Sequence, residues 1–206
     1  EMANRMLAEH AKNHGGATPQ KVSFTLWSGS FIESEGATIG EILYLLGVEP
    51  IRDQFNRVLD IRLIDTKDLG RPRVDVVVQT SGQLRDVAAS RLTLIQKAVD
   101  MAAAAGGGDD NYVAKGRNDA ERVLLDKGFS PKEAREYATQ RVFGGANGMY
   151  GTGITAMVES GDRWENESEI ANVYLNNMGA TYGNEKDFGG FKPGIFEAAL
   201  QNTEAV

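Results

Sequence analysis

Apolar and polar positions alternate with period two from Val22 to Trp27, with Val22, Phe24 and Leu26 on one side, which predicts a strand. Ser28-Gly29-Ser30 then reads as a turn. Thr38 with Glu41 three residues later has capping-box form, and Ile39, Ile42, Leu43 and Leu46 recur at helical spacing. Gly47 stands where a left-handed C-terminal cap belongs. A second alternation, Leu59 to Ile64, predicts another strand, and the β-branched run Val74 to Val78 predicts a buried parallel one. Thr80-Ser81-Gly82 opens a long helix in which Leu84, Val87, Ala88, Leu92, Ile95, Val99 and Ala102 fall three and four apart. The order strand, helix, strand, strand, helix predicts an α/β unit over about 21–105, with a mostly parallel sheet and flanking helices.

Residues 1–20 read as a helical lead-in, since Met2, Met6 and Leu7 are spaced by charges in the manner of a helix interior. That opening predicts a piece of something longer. The tract Ala102 to Asp110 (AAAAGGGDD) predicts a frayed helix end and a flexible joint. Beyond it no period-two pattern stands out, so 106–206 is expected to be a helical region. Asn118 with Glu121 opens a short helix ending at Gly128. Ser130-Pro131-Lys132-Glu133 carries a capping box with proline in the first turn. Further helices are expected around Ile154 to Val158, from Asn166 with Glu169, and from Gly194 to Leu200, the last cut by the chain end.

Composition sharpens this picture at one point. The chain holds 24 glycines in 206 residues, against about 14 at the usual share of about 7%. Five of them sit in the ten residues 144–153, a glycine-rich loop. No Gly-Lys-Ser/Thr follows it, and with no strand expected ahead of it the dinucleotide fingerprint is excluded too. The net charge of −7 argues against a nucleic-acid partner. The lack of cysteine excludes thiolate metal sites and disulfides within the chain. No apolar run reaches the ~18 residues of a membrane span, and a cytoplasmic setting is expected.

Ligands of open α/β sheets gather at the carboxyl ends of the strands. Ser81 and Gly82 lie at such an end and at a helix N-terminus, which either caps the helix or receives an anion. Arg85 and Asp86 read as a salt-bridge element or as a carboxylate-holding arginine. Glu33, Glu35 and Glu41 near the first strand either solvate a loop or handle protons or a cation. His10 and His14 share one face of the first helix without a third ligand, so no metal site is assigned.

The wording of several stretches goes further. LGRPRVDVVVQTSGQLRD (Leu69 to Asp86) resembles the large subunits of cobaltochelatase and magnesium chelatase, the CobN/magnesium chelatase family. Leu26-Trp27, Leu46 to Pro50, Arg141 to Gly151, Trp164, Tyr174-Leu175 and Tyr182-Gly183 follow in the same order, so the resemblance spans residues 21 to about 185. FGGANGMYGTGI and YLNNMGATYG resemble the cobalt branch more closely. Two positions depart: Glu33 replaces a basic residue, and Gly36-Ala37 stands where Gly-Glu is usual.

The resemblance implies a segment of a tetrapyrrole chelatase large subunit. It would bind a corrin or porphyrin and insert a divalent metal substrate (cobalt, magnesium or iron, cobalt favoured). Separate ATPase subunits would use ATP, and the rest of the same large subunit would complete the site, leaving the isolated segment inactive. Under it, Ser81, Gly82 and Arg85 are expected to hold ring carboxylates, and Gly148 and Tyr150 to form a loop wall against the ring. Glu33 and Glu35 are expected to act as catalytic proton or cation handlers. A haem dechelatase and a non-catalytic tetrapyrrole-binding scaffold are the alternatives.

Overall fold

A computed structural model describes residues 1–161 and 164–206. Its elements run α1 (Met2–Asn13), β1 (Lys21–Leu26), α2 (Ser28–Glu33), α3 (Ala37–Leu46), β2 (Val48–Arg52), β3 (Val58–Leu63), α4 (Thr66–Leu69), β4 (Asp75–Thr80) and α5 (Gly82–Ala104). After a 3-10 turn come α6 (Tyr112–Asp126), α7 (Pro131–Tyr137), β5 (Val142–Gly144), α8 (Thr155–Ser160), α9 (Glu167–Asn177), β6 (Ala180–Thr181), β7 (Gly190–Phe191) and α10 (Ile195–Leu200).

The central sheet has strand order β1-β4-β5-β6-β7. β1, β4 and β5 are parallel, and the two-residue strands β6 and β7 add antiparallel pairings at one side. This is the α/β architecture with a mostly parallel sheet that the sequence predicts. β4 is buried at all six positions, as expected of a strand covered on both faces. Its alternation separates two cores. Val76 and Val78 pack with Leu84, Leu92 and Ile95 of α5 and with Ile42 and Leu46 of α3. Val77 packs on the other face with Leu124 of α6 and Phe196 of α10. Val142 and Phe143 of β5 divide between the same two cores. Helices thus cover both faces, giving three layers.

Several expectations are corrected. β3 does not join the main sheet. It pairs antiparallel with β2, a strand with no clear alternation. Ser28-Gly29-Ser30 is helical rather than a turn. α3 begins at Ala37, after left-handed Gly36, so the Thr38–Glu41 box does not form. Gly47 does close that helix in the left-handed region, at φ 71°. The second half is not strand-free, because β5, β6 and β7 lie there, and β5 runs directly into the glycine-rich loop. α6 starts at Tyr112 rather than Asn118, with Asn111 as its cap. Asn111 also donates to the carbonyls of Ala102 and Ala105, at 2.8 and 2.9 Å, so the AAAAGGGDD tract is tied back onto α5. The Ser130–Glu133 capping box forms in both halves. α10 ends within the chain, and the residues after it return to β1.

At the amino ends of the parallel strands lies a buried charge cluster. Arg141 donates to both carboxylate oxygens of Asp75 at 3.1–3.3 Å, and Lys21 Nζ stands 3.4 Å from Asp75 Oδ2. Lys21 also donates to the carbonyls of Ala199 and Gln201. Burial lowers the Lys21 pKa, against the pull of Asp75. This cluster fastens β1, β4 and β5 at the end opposite the cleft described next.

Candidate functional site

A cleft of about 290 Å³ opens at the carboxyl ends of β1, β4 and β5, the end where open α/β sheets receive ligands. Its floor comes from Thr25 of β1, Thr80 of β4 and Gly145 after β5. Trp27, Met149 and Tyr150 form apolar walls, and all three are substantially exposed, Trp27 at 53%. α9 contributes Tyr174, and Met178 follows it.

Beneath the floor, Gln79 links three elements. Its side-chain oxygen accepts from the Tyr174 hydroxyl at 2.5 Å, and its amide donates to Ser23 Oγ at 3.2 Å. A glutamine directly after the buried apolar run Val76 to Val78 is the sequence signal for this network, and the sequence reading passed over it. Burial raises the Tyr174 pKa, so its phenol stays protonated and donating at neutral pH.

The glycine-rich loop is the cleft's outer wall, and it is fastened at three points. Buried Arg85 donates through Nη1 to the carbonyls of Gly145 and Ala146, at 3.1 and 3.0 Å, and through Nε to Asp86 at 2.9 Å. The Tyr150 hydroxyl donates to the other Asp86 oxygen at 3.0 Å. Asn177 Nδ2 donates to the Thr152 carbonyl at 2.8 Å. The Arg85 hydrogen bond, then that from Tyr150, holds the Asp86 carboxyl below its ordinary range, while Asp86 pushes the Tyr150 phenol up.

Ser81 caps α5, its Oγ accepting from the Leu84 amide at 3.2 Å, and it also lines the cleft. Gly82 is a point of close approach. A Cβ there would stand 2.5 Å from the Met149 carbonyl oxygen and 2.9 Å from the Tyr150 ring. Only glycine lets the loop settle on the first turn of α5. Gly148 has φ 84° and forms the loop's turn without lining the cleft.

Arg85 does not present its charge to the cleft, because its guanidinium is buried beneath the loop and bonded there. The expected carboxylate-holding role does not fit that geometry. Glu33 ends α2 and Glu35 follows it at φ 52°; both are exposed and neither lines the cleft. His10 and His14 stack at 4.0 Å at the end of α1, and no group of three metal-ligating side chains is assembled among the described residues.

Known proteins similar to this chain fall in one family. The whole chain, residues 1–206, matches the family described as CobN/Magnesium Chelatase. It is 34% identical over 189 residues to the aerobic cobaltochelatase subunit CobN of Pseudomonas aeruginosa, covering 91% of this chain and 15% of the relative. It is 30% identical over 208 residues to the chloroplastic magnesium-chelatase subunit ChlH of Oryza sativa subsp. indica, covering 100% of this chain and 14% of the relative. The fold superposes on the catalytic subunit of cobaltochelatase from Mycobacterium tuberculosis with a TM-score of 0.85 and 32% identity, over 98% of this chain and 17% of that one. The chain thus spans about one-seventh of the length of these curated relatives, and with its complete family match it belongs to the CobN/magnesium chelatase family.

Proposed function

We propose that this chain is a segment of a tetrapyrrole metal chelatase large subunit, and that the cleft at the ends of β1, β4 and β5 is where it meets the macrocycle. The observation that carries this reading is the cleft's make-up. Exposed aromatic and thioether side chains stand at the ligand-binding end of a parallel sheet, behind a loop fastened from three sides. A planar conjugated ring is the ligand such walls favour, through stacking and apolar burial. The cleft volume lies at the lower limit of small-molecule sites, which are roughly 300–1,000 Å³. It therefore receives one edge of the macrocycle, and the remainder of the large subunit encloses the rest.

Metal insertion exchanges two pyrrole N–H protons for one divalent cation, and the ring must be held while it deforms. In this reading Trp27, Met149 and Tyr150 supply the apolar contact. Ser81 and Gly82 set the first turn of α5 against the ring edge, and Gly148 shapes the loop. Arg85, Asp86 and Asn177 are positioning residues that hold the loop carbonyls and Tyr150 in place. Glu33 and Glu35 stand outside the cleft and are given no contact with the ring. Cobalt is the favoured metal substrate, by the likeness to the P. aeruginosa and M. tuberculosis proteins, and ATP is assigned to separate partner subunits by the family resemblance alone.

The test is turnover by the complete large subunit carrying this segment, assayed with its ATPase partners. Trp27→Ala and Tyr150→Ala are each expected to raise the KM for the tetrapyrrole at least tenfold while leaving the melting temperature within a few degrees. Unchanged KM and kcat in both variants would remove the cleft from the substrate's path.

A further inference from the structure

We infer that the cleft selects an uncharged edge of the macrocycle and disfavours an edge bearing ionised carboxylates; the inference rests on the ring-binding reading above. Three independent features converge on it.

The first is the lining. Its polar groups are backbone, the Trp27 indole N–H and hydroxyls, the last from Thr25, Ser81, Thr152 and Tyr174 among others. No lysine, arginine or histidine lines it among the described residues. An ionised carboxylate brought into an apolar cleft loses hydration, and without a cation or several donors that loss goes uncompensated.

The second is the ion pair at the loop. Arg85 lies beneath the loop, with Nε and Nη1 already engaged by Asp86, Gly145, Ala146 and Tyr182. Of this ion pair, Arg85 is buried, and the member that reaches solvent beside the outer wall is Asp86, which is half exposed and bonded to Tyr150. It is held ionised by Arg85, and it repels a second carboxylate arriving beside Tyr150.

The third concerns α5. Its N-terminus would ordinarily attract an anion. Here the Ser81 hydroxyl takes the Leu84 amide, and the Met149 carbonyl oxygen lies against Gly82. That carbonyl oxygen brings partial negative charge to the side of the first turn of α5, which opposes an arriving carboxylate. What remains favourable is an alkyl or esterified edge, packed by Trp27, Met149 and Tyr150.

The experiment titrates the complete large subunit carrying this segment with metal-free deuteroporphyrin and, separately, with the dimethyl ester of the same porphyrin at pH 7. It reads the change in porphyrin fluorescence. The ester is expected to bind at least tenfold more tightly. Met149→Lys, which brings a cation into the cleft, is expected to reduce that preference at least fivefold by tightening the diacid. Equal or tighter binding of the diacid by the parent chain would overturn the inference while leaving ring binding intact. Preference for the ester that Met149→Lys does not alter would also overturn it, since the discrimination would then arise away from the cleft. Binding of neither porphyrin by the complete subunit would remove the ring-binding reading itself, and this inference with it.

Discussion

Arg71 and Arg73 come from the stretch that carries the family resemblance most strongly, and both turn inward. Arg73 is fully buried and donates to the carbonyls of Leu46, Gly47 and Ile64. Arg71 lies over the Tyr44 ring and donates to the carbonyls of Tyr44, Leu45 and Pro72. Together they satisfy the last carbonyls of α3, which have no partner within the helix. A conspicuous motif is therefore explained by helix termination and not by ligand contact. Arg73→Met is expected to cost about 3 kcal/mol, because it leaves the Leu46 and Ile64 carbonyls without donors while Gly47 keeps the Ile64 amide, and urea denaturation would measure it. At the cleft, the Asp86 carboxyl titrates below its ordinary range in the folded chain. A depressed folded pKa means the stabilisation is complete above the ordinary value of 3.8 and fades as pH falls through the lower, folded one. Asp86→Asn is expected to flatten the dependence of stability on pH below about pH 4, read by thermal melts across that range. Such roles were only half legible in the residues. Arg85 and Asp86 could be singled out by their place near a strand end, but whether the guanidinium faced a ligand or the loop depended on contacts sixty residues away in sequence.

Among the elements, local rules succeeded where all the determinants lie within a few residues. The Ser130–Glu133 box, the Gly47 terminus and the Ser81 cap form as their sequences predict. Ser130→Ala is accordingly expected to lower stability by about 1 kcal/mol, measured by equilibrium unfolding. The rules failed where tertiary packing decides. β5 has only three residues, Val142–Gly144, too few to show a period, and it exists because β4 offers it a partner. β2 contains Pro50, which weakens a strand signal, yet it is held by its hairpin partner β3. α6 packs on β4 through Gly116, where an added Cβ would collide with the Asp75 carboxylate. Gly116→Ala is expected to cost at least about 3 kcal/mol, since the helix must move or the buried Asp75–Arg141 pair must break. Circular dichroism with urea titration would reveal the loss, and a change under 1 kcal/mol would contradict this packing account.

Across the whole molecule, one sheet gathers chain segments from residue 21 to residue 191. The apolar runs announced its first half, whereas β5 to β7 needed the three-dimensional partner to become strands. The last residues also belong to it. Ser23 donates its amide to the Ala205 carbonyl at 2.8 Å and Glu204 donates to the Lys21 carbonyl at 3.0 Å, so the tail covers the free side of β1. Removing residues 203–206 is expected to lower the melting temperature by a few degrees and to promote association through the uncovered strand, observable by calorimetry and light scattering. The two ends of the sheet have different characters. The amino ends of the strands are locked by Lys21, Asp75 and Arg141, while the carboxyl ends open into the aromatic cleft. Backbone hydrogen exchange of the complete large subunit carrying this segment, with and without a metal-free porphyrin, tests that cleft most directly. Protection is expected in residues 25–29, 80–84 and 145–152, with the amino ends of the strands unchanged. Protection confined to other surfaces, or none at saturating porphyrin, would contradict the assignment of the cleft to the macrocycle.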